Sequence, residues 1–135
     1  MFSSIELPQN LLDQLATRFK IETYEAHLKN HPDSIEVLME LGNLYTAAGR
    51  YEDGLKIDLR LVKLLPDDPV VYYNLACSYS LLNRTTEALE ILFHAINLGF
   101  SDIELLLKDE DLKNLRATPE FRMLLSYYFK NKQKK

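Results

Sequence analysis

Apolar residues recur at helical spacing along most of the chain, and turn-forming residues break the pattern at regular points. Leu11, Leu12, Leu15 and Phe19 form one stripe; Ile21, Tyr24 and Leu28 form a second, rotated from the first. No Gly, Asn or Pro interrupts residues 11–29, so one long helix is expected over residues 8–30, with Pro8 in a first turn where its missing N–H costs nothing. Asp33 with Glu36 three residues on reads as a capping box that opens a second helix, ended near Ala48 by a left-handed Gly49. A third helix is expected from Tyr51 to Leu64, before Pro66. A fourth opens with Asp68 as cap and Pro69 as first helical residue. Asn83 and Arg84 turn the chain into a fifth helix that ends near Leu98 and Gly99.

Beyond Gly99 the pattern shortens. Ser101 and Glu104 read as another capping box, before a short helix through Lys108. Asp109 caps a second short helix carrying Leu112 and Leu115. Thr118-Pro119-Glu120 opens a last helix with Phe121, Leu124, Leu125 and Tyr128 on one face. Residues 130–135 hold four lysines and are expected to fray into solvent.

The pattern also repeats itself. Leu38 aligns with Tyr72, Leu41 with Leu75, Gly42 with Ala76, Tyr45 with Tyr79 and Leu55 with Leu89, each pair 34 residues apart. Ile21, Tyr24, Leu28 and Pro32 lie the same distance before Leu55, Asp58, Val62 and Pro66. Small residues at Gly42, Ala76, Ala88 and Ala95 allow helices to approach closely, with Leu41, Tyr45, Leu75 and Tyr79 filling the space beside them. A helix pair of this length cannot bury its apolar face alone, so neighbouring pairs must stack.

Carried by Leu38, Leu41, Gly42, Tyr45, Tyr51, Leu55 and Pro66, and again by Tyr72, Leu75, Ala76, Tyr79, Ala88, Leu89 and Ala95, residues 35–102 resemble the tetratricopeptide repeat family. The resemblance implies an all-α fold, an α-α superhelix wound as a right-handed solenoid of antiparallel helix pairs. It divides a single domain into a degenerate N-terminal capping repeat (residues 1–34), two repeats (35–68 and 69–102), a helical cap (103–130) and a basic tail (131–135). The segment from Gly99 to Phe121 is similar to an extension that follows such repeats in some bacterial proteins. Two positions depart from the family: Gly54 stands for the usual alanine, and Asp58 occupies a slot normally apolar. Buried there, Asp58 needs a donor such as a tyrosine hydroxyl, or water.

The resemblance implies a function too. First helices of such repeats line a concave face that takes a peptide or helix of another protein. By repeat register that face holds Glu36, Met39, Glu40, Asn43, Thr46 and Ala47, then Val70, Tyr73, Asn74, Cys77, Ser80 and Leu81. No Lys or Arg occurs in residues 35–48 or 70–82, so a neutral, apolar or basic segment is the expected ligand. Asn43 and Asn74 match asparagines with which some family members clamp an acidic chaperone terminus. Met39 stands where that clamp has a lysine, which argues against it. Met39 and Tyr73 are either anchors for a partner or covered by the N-terminal helix. The other reading is a self-associating module, a homodimer formed through Tyr127, Tyr128 and Phe129 or an exchanged terminal helix.

Composition narrows the alternatives. Net charge is −4, too small and of the wrong sign to recruit nucleic acid or an anionic membrane. Four tail lysines without an aromatic platform read as a solubilising end. The single cysteine, Cys77, excludes an internal disulfide and suits a reducing compartment. Residues 1–10 show no signal-peptide pattern, and no window nears the ~18 apolar residues of a membrane span. A cytoplasmic location is expected. His27 and His31 have i, i+4 spacing, yet Pro32 follows and no third ligand is near, so no metal site is expected. No phosphate loop, nucleophile motif or CxxC pair occurs, so neither catalysis nor a cofactor is expected.

Overall fold

Residues 6–133 are described by the computed structural model, and every regular element among them is helical. Chain order gives α1 (Gln9–Asn30), α2 (Ile35–Ala47), α3 (Tyr51–Leu64), α4 (Pro69–Leu81), α5 (Thr85–Asn97), α6 (Ile103–Lys108), a 3₁₀ turn (Glu110–Leu112), α7 (Lys113–Arg116) and α8 (Pro119–Gln133). The one long N-terminal helix agrees with the uninterrupted pattern. Residues 1–5 and 134–135 lie outside the described residues, as do the side chains of Phe129 and residues 131–133.

Helix ends recur at the 34-residue interval. α2 and α4 each span 13 residues, starting at Ile35 and Pro69; α3 and α5 start at Tyr51 and Thr85; α1 and α3 end at Asn30 and Leu64. The junctions recur in atomic detail. Gly49, Asn83 and Gly99 have φ of 76°, 59° and 113°. Around each, the next residue's N–H returns five residues (Arg50 to Tyr45 O, Arg84 to Tyr79 O, Phe100 to Ala95 O). Each turn residue's own N–H returns three, so all three stops are Schellman motifs. Arg50 then lies over the Tyr45 ring and Arg84 over the Tyr79 ring, at 4.6 and 4.9 Å. Each arginine also pairs with an acid three residues on, Asp53 or Glu87. Such short turns make consecutive helices antiparallel neighbours.

Two apolar clusters hold the helices. The first joins Ile21 and Leu28 of α1 to Leu38, Leu41 and Tyr45 of α2, Ile57 and Leu61 of α3, and Val71 of α4. The second joins Tyr73, Ala76 and Cys77 of α4 to Ala88, Leu92 and Ala95 of α5. It continues through Phe100, Leu106, Leu112, Leu115, Phe121 and Leu124. Each fully buried leucine here stabilises the fold by roughly 1.5–3 kcal/mol relative to exposure. Gly42 lets α2 approach α3: a Cβ there would sit 3.3 Å from Ile57 Cγ2. Ala76, its counterpart by register, is completely buried. Polar ties add direction, with the Tyr45 hydroxyl donating to Glu25 Oε2 at 2.8 Å and Arg60 donating to the Pro32 carbonyl.

Four local expectations are corrected. The α2 cap is Ser34, without a side-chain capping bond, so no Asp33–Glu36 box forms; Asp33 is inside the turn closed by Ser34 N–H to His31 O. The α6 cap is Asp102, whose Oδ1 accepts from Leu105 N at 3.0 Å, rather than Ser101. Pro8 is the cap of α1 and stands just before its first turn. The last helix continues to Gln133, so the lysine-rich end is helical throughout its described residues, 130–133. Of the two apolar stripes on α1, the one formed by Leu11, Leu12, Leu15 and Phe19 lies outside the core. It stays exposed because α1 packs through Ile21 and Leu28, and about 3.6 residues per turn put the stripe on another face.

Candidate functional site

The C-terminal segment decides which first-helix residues remain open. Tyr73 of α4 stacks on Phe100, ring centroids 4.3 Å apart and nearly parallel. Its hydroxyl donates to Asp109 Oδ2 at 2.6 Å. The Ser80 carbonyl accepts from Asn114 Nδ2 at 2.9 Å, and the Ser80 hydroxyl accepts from Leu115 N–H at 3.2 Å. Arg116 secures the same segment by donating to the Leu106 and Asp109 carbonyls. Tyr73, Cys77 and Ser80 are therefore buried, and Tyr73 and Ser80 bond to the chain's own cap. Register places all three on the open face; the structure instead turns Tyr73 and Ser80 against the cap, while Cys77, though buried, lines a cleft.

The other expected residues have varied settings. Glu36, Glu40, Asn43 and Val70 are exposed, Met39 is half-buried against the first apolar cluster, and Thr46 and Asn74 are half-buried. Asn43, Thr46, Asn74 and Cys77 meet in one cleft of about 260 Å³ between α2, α3, α4 and the cap, which Ala47, Ser78 and Leu81 also line. Glu36, Met39, Glu40, Val70, Tyr73 and Ser80 do not line it.

Three carboxylates complete the cleft: Asp58, Asp109 and Asp111. Asp58 is 8% exposed, and Ser78 Oγ donates to its Oδ2 at 2.5 Å. A serine hydroxyl is thus its donor, where a tyrosine hydroxyl or water was expected. Burial raises the Asp58 pKa to about 6, against the opposing pull of the Ser78 bond. Asp109 is fixed by Tyr73 and by Asp111 N–H, which donates to its Oδ1 at 3.0 Å. Asp111 is raised by burial first, then by the charges of Asp109 and Glu110. Cys77, with its Sγ 4.0 Å from Asp109 Oδ2, is pushed well above the usual thiol range by burial and by that carboxylate. It is therefore a protonated thiol at neutral pH, unsuited to nucleophilic attack.

Asp109 and Asp111 were legible only as a capping residue and its neighbour, because their approach to the cleft depends on how the cap folds over α4. Among the described residues, no Lys or Arg lines the cleft. Nor does any group of three or more His, Cys, Asp or Glu among them have a geometry that could hold a metal ion. His27 and His31 stack on each other at 4.7 Å. Within the same limits, no helix is long and apolar enough to cross a membrane.

No protein-family model matches the chain. Over 93 residues it is 32% identical to a chloroplastic protein of Arabidopsis thaliana, an alignment that covers 64% of this chain and 27% of that protein. The chain thus corresponds to about a quarter of that relative's length.

Proposed function

We propose that the chain is a small scaffold of tetratricopeptide type, a right-handed stack of helix pairs that binds a segment of another protein in the cleft between α2 and α4. The observation that carries this reading is the lining of the cleft. Asn43 and Asn74 amides stand beside Asp58, Asp109 and Asp111, with no basic side chain among the described residues of the wall. The recurrence of helix ends and arginine–tyrosine junctions at 34 residues supports the repeat assignment.

Asparagine carries both donor and acceptor, so it can pair with a ligand's backbone whatever the side chains. The carboxylates add preference: a lysine or arginine of the ligand gains a charge-assisted bond, worth about 1.5–3 kcal/mol. A neutral or basic segment is the ligand class, and an acidic peptide is repelled. Phosphate backbones are disfavoured on the same ground. The protonated thiol of Cys77 supports binding rather than catalysis, and the lone buried cysteine is compatible with a cytoplasmic setting.

Crosslinking pull-downs with the full chain test the proposal. The double variant Asn43→Ala/Asn74→Ala should recover the partner at least about tenfold less well, equivalent to about 1.4 kcal/mol. It should unfold as the parent does, since Asn43 is exposed, Asn74 is only half-buried, and both amides face the cleft. Undiminished capture by that variant would remove the cleft from the argument.

A further inference from the structure

Two apolar surfaces outside the cleft remain uncovered. On α1 and just before it, Leu7, Leu11, Leu12, Leu15 and Phe19 are 37–70% exposed. Leu11, Leu15 and Phe19 follow each other at i, i+4 spacing, the form in which a helix enters a groove. The second surface is a groove of about 400 Å³ between α5 and α8, walled by Leu89, Phe93, Met123, Leu124 and Tyr127. Phe93 and Tyr127 meet across it with ring centroids 5.9 Å apart, yet Phe93, Met123 and Tyr127 stay 38%, 69% and 55% exposed. α1 packs on α2, and α8 on α5 and α7, so each surface sits at one end of the succession of helices.

From this pairing we infer that a second copy of the chain is the occupant: the α1 stripe of one molecule lies in the α5/α8 groove of the next. Charge favours this arrangement. The charged residues lining the groove are Glu90 and Glu120, and α5 contains no Lys or Arg. Arg18 borders the α1 stripe, and its contact with Glu22 is an exposed pair, 77% and 62% accessible. A pair so exposed to solvent holds its members weakly, so Arg18 exchanges partners at little cost. A symmetric pairing of two α1 helices about Leu15 would instead set Arg18 against Leu12 and leave the α5/α8 groove empty. The joint is therefore head-to-tail, and it propagates from copy to copy unless the geometry closes a ring. One helix face in one groove is a small interface, so association is weak and reversible, roughly micromolar.

Sedimentation of the full chain over a concentration series reads this out. Average mass should rise with concentration. Phe19→Glu and Met123→Glu should each weaken association by roughly tenfold or more, because each places a charge in an apolar contact. Both positions are highly exposed, 70% and 69%, so the variants should keep the parent's helical circular dichroism. The decisive arm mixes the two. Each variant keeps one intact half of the joint, so an equimolar mixture should form a one-to-one dimer that grows no further. A monomer at every concentration would overturn the inference and leave both faces to other partners. So would association indifferent to Met123→Glu, or a mixture of the variants that stays monomeric.

Discussion

Asp58 shows how one residue can be tolerated in a core without favouring it. Its carboxyl is buried beside Gly42 and held by the Ser78 hydroxyl, and burial raises its pKa from 3.8 to about 6. The folded state therefore prefers the protonated form. That preference contributes stability fully below pH 3.8 and loses it as pH rises through about 6. At about 1.4 kcal/mol per pKa unit the loss is roughly 3 kcal/mol at most. Asp58→Asn keeps an acceptor for Ser78 and removes the ionisation. The variant should match the parent near pH 4 and exceed it by roughly 1–3 kcal/mol at pH 7.5 in urea unfolding. A stability difference that did not change with pH would show that ionised Asp58 is not the cause. The sequence marked Asp58 as a misfit in an apolar slot; the identity of its donor, one helix and 20 positions away, needed the packing of α4 on α3.

At the scale of elements, helix ends were legible where the backbone demands a special residue. Gly49, Asn83 and Gly99 take positive φ, which glycine and asparagine tolerate, so their positions in the sequence announced the stops. Helix starts were less legible. Asp33 and Ser34 are both good caps, as are Ser101 and Asp102, and only the local backbone conformation selects between neighbours. The difference is measurable. Asp68 Oδ1 accepts from Val70 N at 2.9 Å and Val71 N at 3.4 Å, whereas Ser34 makes no side-chain capping bond. Asp68→Ala should cost about 1 kcal/mol in chemical unfolding, and Ser34→Ala only a few tenths. Equal losses would contradict the capping assignment.

For the molecule as a whole, α4 is the shared wall. Val71 belongs to one apolar cluster, while Tyr73, Ala76 and Cys77 belong to the other. Between α4 and the cap, Ser80 is the hinge pin: its hydroxyl is the acceptor for the buried Leu115 N–H. Removing it leaves a buried donor unpaired, at a cost of about 1–3 kcal/mol. Ser80→Ala should therefore lower thermal stability and speed hydrogen exchange at Leu115, without altering partner capture, because Ser80 is inaccessible. Unchanged protection of the Leu115 amide would show that the Ser80 hydroxyl does not hold the cap.

The helices, their turns and the 34-residue recurrence follow from sequence, because helical periodicity, proline and left-handed residues act through neighbours a few positions apart. Leu38, Leu41, Leu75, Leu112 and Leu115 could be assigned to the interior on that basis, and all are buried. The two stripes of α1 could not be ranked, since both have the same local spacing and only contact with α2 chose Ile21 and Leu28. The cleft depended on tertiary structure for the same reason: Asp109 and Asp111 reach Asp58 across more than fifty residues of chain, and Tyr73 and Ser80 close against a cap that no local pattern orients. Local propensities set where each helix ends and, to within a residue or so, where it begins; which faces stay open to a partner is decided by what the rest of the chain buries.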